Sequence, residues 1–149
     1  MSKLFITPAV EEEIKILERT EKHNPINNIE APVMTIDDVL RMMNDVRSIR
    51  VTEQVRQYIV RLVNSTRNNR NTILGISPRG SIALYKASKA LAYIYGREYA
   101  TPDDVKNMAV TVLAHRIILS PQGKTAFGTN EAFIENLLSE TAVPSMSEK

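Results

Sequence analysis

Gly75-Ile76-Ser77-Pro78-Arg79-Gly80 is the stretch on which the reading of this 149-residue chain turns. It reads as the end of a connection and the opening of a long helix. Ser77 suits the cap position, and Pro78 suits the first helical position, where a missing N–H costs nothing. Arg79 then falls in the first turn, beside unpaired backbone N–H groups and the positive end of the helix dipole. First turns favour acids, so an arginine there calls for a reason. Two stand open: a solvated arginine tolerated at small cost, or a guanidinium that shares an anion, foremost a phosphate, with the helix terminus.

Downstream of Arg79 the pattern is helical to about Tyr95. Ile82, Tyr85, Leu91 and Ile94 supply large apolar positions, and Ala83, Ala87, Ala90 and Ala92 let neighbouring helices approach. This predicts a central helix covered on more than one side and the most buried of the chain. Gly96 reads as its C-terminal cap, with Arg97 just beyond, where the dipole is negative. Thr101-Pro102-Asp103-Asp104 gives a cap, a proline and two first-turn acids, ahead of a stripe of Val105, Met108, Ala109, Val112 and Leu113. No motif places an acid or serine beside His115, which reads as a residue packed or capping near a helix end. Ile117 to Leu119 is a short extended run. Ser120 to Gly128 reads as a loop with two glycines and a proline. It contains Gly123-Lys124-Thr125, like the tail of a phosphate-binding P-loop, but that motif requires glycine where Ile118 stands. Thr129 caps a last helix with Phe133, Ile134, Leu137 and Leu138 inward.

Upstream, Thr52 caps a helix whose buried stripe is Val55, Ile59, Leu62 and Val63, ending near Asn68-Asn69. Arg56, Arg61, Arg67 and Arg70 lie along or just after it, without the aromatic interleaving of a base-stacking surface. Thr35-Ile36-Asp37-Asp38 is a capping-box-like start, followed by Ile36, Val39, Leu40, Met43 and Val46 at helical spacing, with Met42-Met43 as core filler. Lys22 to Val33 is a loop that holds His23. Thr7-Pro8 opens a first helix; its Glu11, Glu12 and Glu13 point around the axis and cannot converge on one metal ion. Lys3 to Ile6 is of strand type. The fold class expected is all-α, a helical bundle with short strand pieces at most, at Lys3–Ile6, Ile49–Val51, Ile73–Leu74 and Arg116–Leu119.

Composition is that of a globular chain, with 43% hydrophobic and 24% charged residues. There is no cysteine, which removes thiolate chemistry and disulfides and fits a reducing compartment. The net charge of +2 supplies no field that would by itself gather nucleic acid. No apolar run reaches the roughly 18 residues of a membrane span, and the N-terminal stretch is too short for a signal peptide. A cytoplasmic protein is expected. No nucleophile with a base, metal cluster or P-loop emerges.

The order of motifs is specific where each alone is weak. Tyr58-Ile59-Val60, Ser65-Thr66-Arg67, Gly75-Ile76-Ser77-Pro78-Arg79, Gly96-Arg97-Glu98-Tyr99, Thr101-Pro102-Asp103-Asp104-Val105 and Leu113-Ala114-His115-Arg116 together resemble the C-terminal lid of MoxR-family AAA+ ATPases. Thr7-Pro8 with the three glutamates resembles the lead into that lid, and Leu4 to Ile6 looks like the last strand of the nucleotide-binding core. On this resemblance residues 1–6 are a remnant of that core and residues 7–149 the helical lid.

The resemblance implies that Arg79 is the sensor 2 arginine, which approaches the terminal phosphate of ATP between core and lid. Ser77, Pro78 and Arg79 would then form the nucleotide-binding edge. Arg67 is a second candidate for that neighbourhood, or else an ion-pair residue that holds the lid together. No metal ligand is implied here; Mg²⁺ and ATP belong to the parent protein. Walker A, Walker B, sensor 1 and the arginine finger of a full member are missing, so the chain alone is expected to be inactive. It reads as a piece of a longer ATPase or a lid encoded apart from its core. Implied partners are the upstream AAA+ core, further copies in a homo-oligomeric ring, and a von Willebrand factor A-type protein. Two other readings stay open: a histone-fold-like DNA-binding protein, against which the near-neutral charge counts, and a helical scaffold or adaptor.

Overall fold

The structure, a computed structural model, describes residues 10–12, 14, 15 and 32–144. The chain divides into two compact units, Met1–Val39 and Leu40–Lys149. In the first, residues 10–12, 14 and 15 are helical. The strand expected at Lys3–Ile6, the loop from Lys22 with His23, and Glu13 lie outside the described residues.

Helix α1 spans Ile36–Ser48. Thr35 and Asp38 close a reciprocal capping box at its start: the Thr35 N–H donates to Asp38 Oδ2 at 3.0 Å, and the Asp38 N–H donates to Thr35 Oγ1 at 3.1 Å. None of its residues is buried, so the Met42-Met43 pair is not core filler. At the C-terminal turn of α1, Lys89 Nζ donates to the Arg47 carbonyl at 2.6 Å and Tyr93 OH to Asp45 at 3.3 Å. A stripe at helical spacing says which side is apolar; it does not say that a neighbour lies against it.

Helix α2, Glu53–Arg67, is capped by Thr52, whose side chain accepts from the Val55 N–H. Its buried residues are Val55, Tyr58, Ile59, Leu62, Val63 and Thr66. Strand β1 follows at Thr72–Leu74. Helix α3 runs Pro78–Ile94 and ends in a Schellman motif. There the Gly96 N–H bonds Tyr93 O at 2.8 Å and the Arg97 N–H bonds Ala92 O at 3.0 Å, with Gly96 at φ 68°. Helix α4, Pro102–Leu113, starts in the capping box of Thr101 and Asp104. A 3₁₀ turn, Ala114–Arg116, leads to strand β2, Ile118–Leu119. The strands pair antiparallel, Thr72 with Leu119 and Leu74 with Ile118, with an irregularity between Thr72 and Leu74. At Ile49–Val51 the expected strand is reduced to one parallel bridge, Arg50 with Tyr99.

Two expectations are corrected here. Ser120–Gly128 is not a loop throughout, since Pro121–Phe127 forms helix α5. Ser120 caps it by accepting from the Gly123 N–H, with Pro121 at the start, and its end is set by Gly128 at φ 73°. Gly123 is no breaker: a Cβ there would collide with the Asn71 carbonyl, so the glycine admits close approach of α5 to the chain before β1. The second correction concerns α3, which is not the most buried helix. Ile82 and Ile94 on it are 54% and 71% exposed, and its buried residues are Gly80, Leu84, Ser88, Lys89 and Ala92. The core is built around α2 instead. Its apolar stripe shares one buried cluster with Ile76, Leu84, α4 residues Val105, Ala109 and Leu113, Ile117 and Leu119 at β2, and Phe133, Ile134 and Leu137 of helix α6 (Asn130–Glu140). Of the large residues of α3, Leu84 enters the core and Tyr85 packs against it, while Ile82 and Ile94 face out. Phe127 and Phe133 meet edge to face at 5.2 Å and tie α5 to α6.

Candidate functional site at the start of the third helix

The site begins with how the chain enters α3. Ile76 is fully buried. Its N–H donates to Thr66 Oγ1 at 3.0 Å, and its carbonyl accepts from Arg67 Nε at 2.7 Å. Thr66 is itself buried, and its hydroxyl donates to Val63 O at 2.7 Å. Gly75 lies so close to the end of α2 that a Cβ would approach Arg67 Cα and Thr66 O to 2.6 Å each. Glycine at 75 is therefore set by contact with backbone, not by a left-handed φ.

Ser77 has extended dihedrals and occupies the cap position, but its side chain makes no capping bond. The Gly80 N–H is satisfied by the Ser77 carbonyl at 2.8 Å. Thr35, Thr52, Thr101, Ser120 and Thr129 each accept a first-turn N–H with their hydroxyls at the starts of α1, α2, α4, α5 and α6. No acid lies in the first turn of α3. Arg79 is exposed there. The positive end of α3 thus carries an extra positive charge and no side-chain acceptor.

Arg67 is exposed and bonds the Ile76 carbonyl and Asn64 Oδ1, the latter at 3.0 Å. Its partners are thus a carbonyl and an amide, and it forms no ion pair among the described residues. Arg116, which no motif singled out for this site, comes close to it. Its Cδ would lie 3.6 Å from a Cβ on Gly80, and its Nε donates to Val112 O at 2.9 Å. His115 is exposed in the 3₁₀ turn, away from any acid cluster; no group of three or more His, Cys, Asp or Glu comes together among the described residues. The turn itself is held by Asn130, whose Nδ2 donates to Ala114 O at 2.9 Å and Ile117 O at 3.1 Å.

Arg97, at the far end of α3, has a different task. Its guanidinium forms a two-pronged bond to Asp104, at 2.7 and 2.6 Å, and Asp104 is 2% exposed. Asp104 Oδ2 also accepts from the Thr101 N–H at 2.7 Å and the Thr101 hydroxyl at 2.9 Å. Burial pushes this carboxyl up, but the bonds from Arg97 and Thr101 outweigh burial and hold it below the ordinary value. One residue therefore closes the end of α3 against the start of α4.

Among the described residues, short helices pack as a mainly α-helical bundle with a two-stranded ribbon, a lid-type architecture. Residues 64–137 match a family model described as the AAA lid domain. Over 137 residues the chain is 37% identical to "Uncharacterized protein YeaC" of Bacillus subtilis, covering 92% of this chain and 42% of that protein. It is 28% identical over 149 residues to "Chaperone MoxR1" of Mycobacterium tuberculosis, covering 94% of this chain and 39% of that protein. Its fold is shared with the crystal structure of "a putative ATPase" from Cytophaga hutchinsonii, with a TM-score of 0.72 at 24% identity over 95% of this chain and 45% of that one. The chain belongs with the lid domains of MoxR-like AAA+ ATPases. It spans about two fifths of the length of the curated relatives it matches, 42% and 39%.

Proposed function

We propose that this domain is the sensor 2 lid of an ATP-hydrolysing motor and that Arg79 reads the terminal phosphate of ATP at the junction with the nucleotide-binding core. The observation that carries the reading is the start of α3, whose cap side chain accepts none of the first-turn N–H groups and which bears an exposed arginine and no acid. A phosphate supplies what that terminus lacks, an anionic acceptor for both the N–H groups and the guanidinium. Ser77 and Pro78 fix the terminus, and Arg79 adds the charge. Bound ATP, with its Mg²⁺ held by the core, would supply the reacting phosphoryl group. What this chain contributes is charge neutralisation and orientation, so that lid position follows nucleotide state.

On the same reading the working form is a cytoplasmic, homo-oligomeric, chaperone-like ring acting with a von Willebrand factor A-type partner. No helix among the described residues is long and apolar enough to cross a membrane.

The test is Arg79→Ala in the intact ATPase. Steady-state hydrolysis should fall by about 10²-fold with the melting temperature unchanged, as for other positioned charges at a transition state. Arg79→Lys should restore part of the rate, because an ammonium lacks the planar fork. Arg97 is unsuitable as the charge-matched control because it is bonded to Asp104. Arg61, exposed on α2, takes that place. Hydrolysis by Arg79→Ala at the rate of the Arg61→Ala control would remove the sensor assignment.

A further inference from the structure

A phosphate-reading arginine is useful only if its backbone is held, because misplacement by about 1 Å can cost 10²-fold in rate. Two consecutive residues at the end of α2 supply that hold, and both act on Ile76. Thr66 takes the Ile76 N–H at 3.0 Å, and Arg67 Nε gives to the Ile76 carbonyl at 2.7 Å. Both backbone polar groups of one residue are therefore fixed by side chains of a single neighbouring helix. The Ile76 side chain continues the chain of contacts. It is fully buried under the first turn of α3, where a Cβ on Gly80 would collide with its Cγ2. The residue between Pro78 and Gly80 is Arg79. Thr66 is further tied to β1, since Thr72 Oγ1 donates to the Thr66 carbonyl at 2.8 Å.

We infer that Thr66 and Arg67 are positioning residues of the Arg79 site: by clamping Ile76 they fix the first turn of α3 and the direction in which Arg79 leaves it. This rests on the sensor reading of Arg79. Arg67 then acts through the backbone, not by touching the nucleotide. Its guanidinium suits the task because Nε, near the stem, is spent on the carbonyl while Nη1 is braced by Asn64 at 3.0 Å. Thr66 suits its task because one hydroxyl accepts from Ile76 and donates back into α2, which leaves no polar atom unpaired in a buried place.

The experiment is a double-mutant cycle on kcat and KM for ATP in the intact ATPase. Arg67→Met should lower kcat about tenfold, leave KM for ATP nearly unchanged, and have no further effect when Arg79 is already alanine. Thr66→Val should lower kcat in the same way, whereas Thr66→Ser, which keeps the oxygen, should retain it; this pair carries the test if Arg67→Met does not fold. Should Arg67→Met still slow an Arg79→Ala enzyme, or raise KM sharply, Arg67 meets the nucleotide itself and the positioning role is overturned. A normal kcat for Arg67→Met and Thr66→Val, beside an impaired Arg79→Ala, overturns the inference and leaves the sensor reading standing. An Arg79→Ala enzyme as active as wild type removes both.

Discussion

Removing Arg97 should unsettle this fold more than removing any other exposed-side arginine. Asp104 is 2% exposed and Arg97 28%, with N–O distances of 2.6 and 2.7 Å. Breaking a buried ion pair by deleting one partner costs about 3–5 kcal/mol, because the remaining charge is left without compensation. Two features reduce that here. The guanidinium side is partly open to water, and Thr101 still donates twice to Asp104. Arg97 also donates to the Tyr99 carbonyl at 3.2 Å and lies 5.6 Å over the Tyr95 ring, contacts that weigh the other way. A net loss of about 2–3 kcal/mol follows for Arg97→Ala, or about 10 °C in melting temperature for a domain near 100 residues. Thermal and urea unfolding by far-ultraviolet circular dichroism measure it, with Arg61→Ala as the exposed control. Adding Asp104→Asn to Arg97→Ala should recover part of the loss, since the amide keeps an acceptor for the cap and leaves no bare charge. The reasoning fails if Arg97→Ala melts with the Arg61 control, or if the added Asp104→Asn only makes matters worse.

Acid unfolding of the same variants gives a second prediction. The Asp104 carboxyl lies below its ordinary value in the folded state, so its contribution is present above the unfolded-state value and is lost as pH falls through the folded-state value. Without Arg97 the upward push of burial loses its main opponent. Urea midpoints measured from about pH 7 to about pH 3 should therefore fall less with acid in Arg97→Ala than in wild type, because the share of the acid-linked loss that comes from Asp104 shrinks or reverses, and superimposable profiles would contradict this. Tyr58 offers a third: its hydroxyl is buried and has no hydrogen-bond partner among the described residues, and burial pushes its pKa up. Tyr58→Phe removes an unsatisfied group and should leave stability unchanged or raise it by up to about 1 kcal/mol, whereas a clear loss would reveal a partner for that oxygen. A fourth separates packing from nucleotide chemistry at Gly123-Lys124-Thr125. Gly123→Ala should destabilise by about 1–3 kcal/mol through collision with Asn71, while exposed Lys124→Ala should leave folding and ATP hydrolysis by the intact ATPase untouched. Loss of hydrolysis in Lys124→Ala would restore the phosphate-binding reading of that segment.

Helix starts were legible because capping is a local matter. Thr52, Thr101 with Asp104, and Thr129 all do in the fold what their spacing announces. Ser120-Pro121 carries as good a start signal as Thr101-Pro102, yet the helix behind it was hidden. Gly123 reads as a breaker unless the Asn71 carbonyl is known to lie against it, and that neighbour is far away in sequence. The depth of each helix was hidden for a related reason. Periodicity marks an apolar side, but coverage depends on which elements come to rest there. The stripe of α2 meets α3, α4 and α6, while α1 contributes no buried residue.

The site divides along the same line. Ser77, Pro78 and Arg79 could be read because a helix terminus and its cap are consecutive residues, and their electrostatics follow from position in the first turn. Arg67 could be placed near them but not given a task. Its bond to Ile76 reaches nine residues along the chain, and that of Thr66 reaches ten, across a strand and a turn whose path is set by packing. Arg97 shows the converse. It followed a helix C-terminus, where any cation is welcome, and so looked interchangeable with other surface arginines. Only the fold brings the acid of the next capping box to its fork. In Asp104 one carboxylate both caps a helix and receives that arginine, so the sequence signal for the cap, strong as it is, is silent about the ion pair. The arginine at the start of α3, which has no partner among the described residues, and the arginine at its end, which is bound to Asp104, differ in partner, exposure and the end of the helix dipole they meet. That difference supports assigning chemistry to the first and stability to the second.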